Sequence, residues 1–163
     1  MRLGLFLFIL SLVISSCSPK VYSLNPSGVK AFYCIKEFYF ESPEPLLNDL
    51  LYKALVDGVI SANGKLECSE RSDYYLEYRI DDVSFYPIGY SPSLRASVFV
   101  AQLNSNLRVV DRESKVRVSG DIVEKVQYVG SGMRADFEKR YAFVDLAEVV
   151  KVRIYSLLTS HGD

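Results

Sequence analysis

The sequence contains few of the side chains on which most catalytic sites depend. It has a single histidine, His161, close to the C-terminus, and no tryptophan. None of its three cysteines belongs to a Cys-x-x-Cys pair, and no two His or Cys residues have metal-ligand spacing. Gly130-Ser131-Gly132 lacks the rest of a phosphate-binding loop. We therefore expect neither a Ser-His-Asp triad nor a metal site, and we predict that the protein is not an enzyme.

An excess of charge of one sign is also missing. The formal net charge is −1, so the sequence gives no electrostatic reason to expect nucleic acid as a partner. Beyond residue 16, no apolar run approaches the roughly 18 residues typical of a membrane-spanning helix. What the 163 residues do contain is 49% hydrophobic and 13% aromatic side chains, which is enough to pack the core of one domain.

The N-terminus has the parts of a secretory signal. Met1-Arg2 is a short basic start, residues 3–14 form an apolar run, and Ser15-Ser16-Cys17 follows. The run is shorter than the about 20 residues that a bilayer-spanning helix needs. We predict that residues 1–16 are a signal peptide and that residues 17–28, which include two prolines, are a linker to a single domain at 29–163.

The end of the signal, Ile14-Ser15-Ser16-Cys17, resembles a bacterial lipobox. The resemblance implies diacylglyceryl and N-acyl lipid on Cys17 and no other cofactor. Two or more acyl chains, at about 0.8 kcal/mol per buried CH₂, anchor a protein stably in a membrane. Ser18 stands where an inner-membrane retention Asp would be, which implies anchoring at the periplasmic face of the outer membrane. The alternative is an ordinary cleaved signal with Cys17 there by chance.

Hydrophobic periodicity predicts the first half of the domain. Alternation over residues 29–40 indicates a strand, with aromatic and β-branched residues on both faces. Ser42-Pro43-Glu44 is typical of a helix start, with Ser42 as N-cap, and apolar residues at three- and four-residue spacing continue to Asn63-Gly64. Residues 66–68 could form a short strand.

The second half is predicted to contain three long strands and a helix. Strands are expected over residues 74–86, 94–110 and 116–129, a loop at 87–93, a hairpin connection at 111–115, and a helix over 134–158. The order β-α-(β)-β-β-β-α predicts an α+β two-layer sandwich. Its small mixed β-sheet would have a C-terminal antiparallel meander, with two amphipathic helices packed on one face.

Three residue groups in this arrangement call for an interpretation. Cys34 and Cys68 lie in apolar stretches and could form a disulfide in an oxidising compartment or remain free buried thiols. Asp81 and Asp82 should point to opposite faces of their strand, which makes a poor acid/base pair. At the hairpin end of the sheet, Arg108, Arg112 and Lys115 are balanced by Asp111 and Glu113, which is typical of a solvated hairpin tip.

Two arginines are candidates for ligand binding. The meander brings the loops at 87–93 and 130–134 to one end of the sheet, and Arg95 and Arg134 flank these loops. Guanidinium groups at one end, beside Phe85, Tyr86 and Tyr90, could bind a phosphorylated lipid head. The alternative is that they are two unrelated surface arginines.

Several short segments, in this order of elements, resemble the LptE family of lipopolysaccharide-assembly lipoproteins. They are Ser72-Asp73-Tyr74-Tyr75-Leu76, Pro87-Ile88-Gly89-Tyr90-Ser91, Leu107-Arg108-Val109-Val110-Asp111, Tyr128, Arg140-Tyr141-Ala142 and Leu146-Ala147-Glu148. The resemblance implies a protein that plugs the LptD β-barrel, helps that barrel fold and binds lipopolysaccharide. The family's Cys-Gly-Tyr after the anchor is replaced here by Cys17-Ser18-Pro19.

A second family has a similar pattern. Tyr22-Ser23-Leu24, soon after the lipidated cysteine, resembles the auxiliary lipoproteins of ABC-type phospholipid transport systems, the PqiC type. That resemblance implies a small lipid-anchored α/β domain that assists phospholipid movement across the periplasm. The Pro87–Ser91 segment and the long hairpin favour the LptE family, and Tyr22-Ser23-Leu24 favours the second.

Overall fold

A computed structural model of the protein describes residues 30–40, 44–92, 96–130 and 135–160. These residues form five strands and two helices in the predicted order. The elements are β1 (Ala31–Tyr39), α1 (Pro45–Ser61), β2 (Gly64–Leu66), β3 (Tyr74–Tyr90), β4 (Ala96–Asp111), β5 (Val116–Val129) and α2 (Ala135–Thr159).

The five strands form one mixed sheet in the order β2-β1-β3-β4-β5. β1 is parallel to both β2 and β3, and β3, β4 and β5 form an antiparallel meander. This topology follows from the connections, because a helix separates the first parallel pair and a short turn joins β4 to β5. The predicted mixed sheet with a C-terminal meander is confirmed.

Both helices pack into one hydrophobic core with the sheet. Leu51 and Leu55 of α1, Leu146 and Val150 of α2 and Tyr78 of β3 are fully buried in it. Each helix contributes residues at three- or four-residue spacing, as expected for a face that packs on a sheet. The predicted α+β two-layer sandwich is therefore confirmed.

β3 is longer than the sequence indicates. The expectation of a loop from Pro87 is wrong for Pro87 to Tyr90, which pair with β4 from Phe99 to Ala96. Shifts in register on both sides of Gly89 let the strand continue. Pairing with the long β4 outweighs the local turn preference of Pro and Gly.

The start of α1 also differs from the prediction. Ser42 and Pro43 lie outside the described residues, and the helix begins at Pro45 with Glu44 as its N-cap. Glu44 has φ −109° and ψ 89°, outside the helical region, because the ring of Pro45 disfavours a helical conformation in the preceding residue. The Pro at the first helical position is therefore Pro45.

β2 begins earlier than expected. It covers Gly64–Leu66, not 66–68, so Cys68 follows a strand instead of lying in one. The helix does end at the predicted position, because Asn63 adopts φ 60° and turns the chain directly into β2.

Candidate functional site

The ends of three strands and the starts of both helices meet at one end of the domain. Tyr90 at the end of β3 pairs with Ala96, and Val129 at the end of β5 pairs with Val98. The amide of Gly130 donates a hydrogen bond of 3.0 Å to the carbonyl of Ser97. The segments that flank the two loops of interest therefore lie together, as predicted. Arg95 and Arg134 themselves lie outside the described residues, so their role stays a prediction.

Aromatic rings pack at this end. The rings of Phe85 and Phe143 are 5.5 Å apart between centroids, and Phe99 stacks on Tyr128 at 5.4 Å with 16° between the planes. Each pair joins two elements, β3 to α2 and β4 to β5. Such pairs add about 0.5–1.5 kcal/mol beyond the burial of their area. The first pair positions β3 relative to α2, and the second positions β4 relative to β5.

Lys139 of α2 is a basic residue at this end that was not among the predicted site residues. Its ammonium lies 4.7 Å from the ring centroid of Phe85 and 5.5 Å from that of Phe143. It also forms an ion pair with the carboxylate of Glu44, which connects α2 to the start of α1. The spacing of Lys139 and Phe143, four residues apart on a helix, was the available signal. Because β3 and α1 supply the other partners, the sequence alone could not show the cluster.

Tyr128 is influenced electrostatically by the same cation. Partial burial raises the pKa of Tyr128 above its ordinary value, and the positive charge of Lys139 opposes this rise. Tyr128 therefore remains protonated at neutral pH and can act as a neutral hydrogen-bond donor.

Large apolar side chains are exposed around these rings. Their exposed fractions range from 48% to 67%. We name this group the apolar end, and it consists of Ile88, Tyr90, Val129, Phe137 and Tyr141. A cleft of about 270 Å³ opens between β5 and α2 there, lined by Tyr128, Val129, Tyr141 and neighbouring residues. Exposed apolar side chains gathered at one end of a domain are typical of contact sites for proteins or lipids.

The opposite end of the domain is polar. Here a cleft of about 490 Å³ is lined mainly by charged residues of the β4–β5 hairpin and of the segment before β3. Arg112 donates to the carbonyl of Ser72 at 2.6 Å and forms an ion pair of 3.2 Å with Asp73. We name this group the polar end, and it consists of Lys30, Asp73, Asp111, Arg112, Glu113 and Arg117.

Asp111 organises the hairpin at the polar end. Its carboxylate accepts hydrogen bonds from the amides of Glu113 and Lys115, both at 2.9 Å, and from Arg117 at 2.7 Å. These bonds, above all the one from the amide of Lys115, hold the pKa of Asp111 below its usual value. The interpretation of this segment as a solvated tip is wrong for Asp111, because only 9% of the residue is exposed.

The chain enters the described domain at the polar end. β1 starts beside the start of β3, since Tyr33 pairs with Tyr74, and Tyr74 pairs with Asp111 at the hairpin. Lys30, the first described residue, lines the cleft of the polar end. The predicted linker therefore joins the domain at the end opposite the apolar end.

The face of the sheet that the helices leave open carries a network of charges. Glu77 accepts from Lys36 and Arg108, both at 3.0 Å, and Arg79 pairs with Asp81 at 3.1 Å. A shallow groove of about 400 Å³ runs between these side chains. The network makes this face hydrophilic, so it is not the apolar contact site.

Asp81 and Asp82 lie on this open face together. Asp82 pairs with Asn104, the outward neighbour of the buried Ser105, and Asp81 lines the charged groove. The expectation of opposite faces is wrong because a β-bulge inserts Asp81 between Ile80 and Asp82. Both carboxylates are exposed, and Asp81 is paired with Arg79.

Cys34 of β1 and Cys68 after β2 are joined by a disulfide, with Cα atoms 4.6 Å apart. The sequence left this pairing open. Because 34 residues separate the two positions, the bond closes a loop that contains all of α1 and β2. It ties β1 to the connection that follows the edge strand β2.

Within the described segments, no group of three or more His, Cys, Asp or Glu side chains could hold a metal ion. None of the helices in that part of the chain has both the length and the hydropathy of a membrane span. The candidate sites in the described residues are therefore the surfaces given above: the apolar end, the polar end and the charged face of the sheet.

Comparison with known proteins identifies the fold. No protein-family model matches the sequence, and no curated protein is similar to it. Several solved structures of bacterial lipoproteins are similar to it in fold. A lipoprotein candidate from Caulobacter crescentus CB15 superposes with a TM-score of 0.57 and 14% identity, over 77% of this chain and 88% of that chain.

Two further lipoproteins superpose comparably. Rare lipoprotein B from Shewanella oneidensis gives a TM-score of 0.53 and 12% identity over 80% of this chain and 90% of its own. The minor lipoprotein from Acinetobacter baumannii gives a TM-score of 0.51 and 13% identity, over 79% of this chain and 93% of its own. At these identities the likeness concerns the fold alone: the chain has the fold of these bacterial envelope lipoproteins.

Proposed function

We propose that the protein is an outer-membrane lipoprotein that plugs the LptD β-barrel, helps it assemble and binds lipopolysaccharide during transport to the cell surface. The role is not enzymatic. The observation that supports it is that the two ends of the domain differ in surface chemistry. The chain enters at the polar end, and the five exposed side chains of the apolar end lie at the other.

The length of the strands sets the distance between the two ends. β3 runs from one end to the other over 17 residues, which corresponds to about 50 Å at the rise of a strand. A domain anchored through Cys17 and the linker at 17–28 therefore presents its apolar end away from the anchor. From there it can enter a barrel lumen from the periplasmic side.

The surface chemistry of the apolar end suits both proposed ligands. Tyr90 and Tyr141, 62% and 67% exposed, can bury a ring against a protein wall while the hydroxyl stays hydrated. The same surface can receive acyl chains, and Arg95 and Arg134 in the adjoining loops would bind the lipid A phosphates.

Co-purification tests the barrel assignment. The full chain, lipidated and tagged at its C-terminus, is purified in detergent and the associated proteins are identified by mass spectrometry. We expect one large outer-membrane β-barrel at a one-to-one ratio. Recovery of an ABC permease or its lipid carrier would overturn the proposal and assign the protein to the PqiC-type auxiliary lipoproteins.

A pair of matched variants tests the apolar end. Tyr141→Asp places a charge on that surface and should lower barrel recovery at least tenfold. Tyr155→Asp changes an exposed tyrosine at the far end of the same helix, 43% exposed, and should leave recovery unchanged. Equal recovery with both variants would exclude the apolar end as the barrel contact.

Binding of lipopolysaccharide is tested separately. The double variant Arg95→Ala/Arg134→Ala should bind immobilised lipopolysaccharide several-fold more weakly, with an unchanged melting temperature. The control Arg79→Ala/Lys115→Ala removes two exposed basic side chains from the sheet and the hairpin. If both double variants lose binding equally, the attraction is general and the two loop arginines have no special role.

A further inference from the structure

The free edge of β5 is an unassigned surface of the protein. β5 lies last in the sheet and pairs only with β4 among the described strands, so its second edge has unpaired backbone groups over 14 residues. The other outer strand, β2, has three residues. Long unpaired edges are templates for strand addition, and most proteins protect them.

Two of the usual protections, proline and a β-bulge, are missing on β5 from Val118 to Val129, although the strand carries charged side chains. The strand has no proline, and its pairing with β4 continues from Val118 to Val129 without a shift in register. Val123 and Val129 on its outward face are 54% and 63% exposed. The edge is therefore straight and partly apolar, as in strands that pair with another chain.

The charges on the open face of β5 are self-complementary. Asp121 and Lys125 lie two residues on either side of Val123 and share its face. In an antiparallel pairing of two β5 strands centred on Val123, Asp121 of each copy faces Lys125 of the other, twice. Within the described part of the chain Lys125 has no acidic partner, whereas Asp121 accepts from Asn106 at 2.7 Å.

The same charges destabilise two shifted registers, in which like charges would lie opposite each other on this face. Centring the pairing on Asp121 would place Asp121 against itself and Arg117 against Lys125. Centring it on Lys125 would place Lys125 against itself. Like charges directly opposite each other destabilise a strand pair, so the pattern favours the register centred on Val123 over these two. That register pairs Arg117 to Val129, nearly the whole strand.

Helix α2 contributes apolar surface at the same level. Arg153 bonds Glu124 at 2.5 Å, which places this part of α2 beside the middle of β5. Val149 and Val152, 38% and 58% exposed, lie on the side of α2 turned away from Ile154, which packs at Gly58 of α1. They therefore face the β5 edge, and a two-fold axis at Val123 would bring the two pairs of valines together.

We propose that β5 pairs antiparallel with β5 of a second copy of this chain, centred on Val123, to form a two-fold symmetric dimer with a continuous ten-stranded sheet, twice the five strands of one copy. This surface shares only Val129 with the apolar end. The proposal goes beyond the proposed function and does not depend on the barrel.

A charge-swap experiment on the full-length lipidated chain in detergent tests both partner and register. Asp121→Lys or Lys125→Asp places like charges opposite each other in a self-pair, so each variant alone should raise the dimer dissociation constant at least tenfold. An equimolar mixture restores both opposite-charge pairs and should form heterodimers, measured by sedimentation and native mass spectrometry. Arg79→Glu, on the same face but on β3, should dimerise as the wild type does.

Cross-linking in cells gives a measurement that does not depend on charge. Val123→Cys lies on the proposed axis, so two copies should oxidise to a covalent homodimer, since paired strands hold opposite Cα atoms about 4.5–5.5 Å apart. Ser119→Cys would face Gln127, and its two copies would be too far apart to cross-link. A monomeric wild type, a mixture that does not associate, or a Val123→Cys adduct with a different protein would each overturn the proposal.

Discussion

The hydroxyl of Tyr78 lies in the middle of an otherwise apolar core. Tyr78 is fully buried, and its hydroxyl is 3.0 Å from that of Ser105, which in turn donates to the carbonyl of Ile122 at 3.4 Å. The short chain of bonds joins β3, β4 and β5. Burial raises the pKa of Tyr78 to about 12, and the bond to Ser105 opposes the rise.

Replacing this hydroxyl should have an effect that depends on pH. At pH 8, Tyr78→Phe should lower the free energy of unfolding by about 1 kcal/mol, the usual net value of a hydrogen bond. The folded pKa lies above the unfolded value near 10, so the protonated tyrosine contributes fully below pH 10, and its contribution is lost between about pH 10 and 12.

The wild type should therefore lose about 1.4 kcal/mol more than Tyr78→Phe between pH 8 and pH 11, measured by urea unfolding. The other tyrosines are common to both proteins and cancel in the comparison. Parallel pH curves would show that Tyr78 ionises as readily in the folded protein as in the unfolded chain.

Gly58 permits the close approach of α1 and α2. A Cβ at this position would lie 2.8 Å from Cγ2 and 3.0 Å from Cβ of Ile154, both close to the α2 backbone. Gly58→Ala should therefore lower the free energy of unfolding by about 1–2 kcal/mol, because overpacking exceeds the gain in helix propensity.

Gly120→Ala is the matched control for this change. Its Cβ would meet the end of the Leu157 side chain, also at 2.8 Å, which can rotate away. We expect a loss below about 1 kcal/mol in the same urea titration. A smaller effect at Gly58 than at Gly120 would contradict the account of helix packing.

At the scale of elements, the disulfide stabilises the segment that contains α1 and β2. By loop entropy, a cross-link across 34 residues should stabilise the folded state by about 3–4 kcal/mol. The double variant Cys34→Ala/Cys68→Ala should show this loss in urea unfolding. Reduction of the wild type with dithiothreitol should lower its stability by a similar amount. If dithiothreitol has no effect on the variant, the loss in the wild type comes from breaking this disulfide.

The elements that the sequence predicted best are those with strong local patterns. β5 has the bounds expected from its alternation, and α2 is displaced by one residue at each end. The errors arise where residues distant in the sequence determine the local structure. Pro87 is within a strand because Phe99 pairs with it, and Asp81 is at a bulge because β4 sets the register.

The functional surfaces were predicted in part for the same reason. The meander implied that the loops beside Arg95 and Arg134 share an end, since connectivity alone determines it. The cluster of Lys139, Phe85 and Glu44 joins α2, β3 and α1, and no local pattern gives their distances. The exposed edge of β5 depends on the order of the strands, which periodicity does not specify.

At the scale of the whole molecule, the predicted anchor determines where the domain is held. Cys17→Ala should abolish incorporation of radiolabelled palmitate and move the protein from the membrane fraction to the soluble fraction, unless a barrel retains it. The control Cys34→Ala/Cys68→Ala keeps Cys17 and should retain the label. Label in the Cys17→Ala protein would show that lipidation occurs elsewhere or that the signal is misassigned.

The position of the disulfide has a mechanical consequence for a tethered domain. A pull on the linker enters the described fold at Lys30 and loads β1 along its length, where its bonds to β2 and β3 resist by shear. Without a cross-link, β1 would slide out of the sheet as those bonds broke together. Cys34 lies only a few residues inside the strand, and its covalent bond to Cys68 passes the force to the chain beyond β2. Tension on the anchor would therefore detach the first residues of β1 and stop at Cys34, leaving the apolar end and the β5 edge intact.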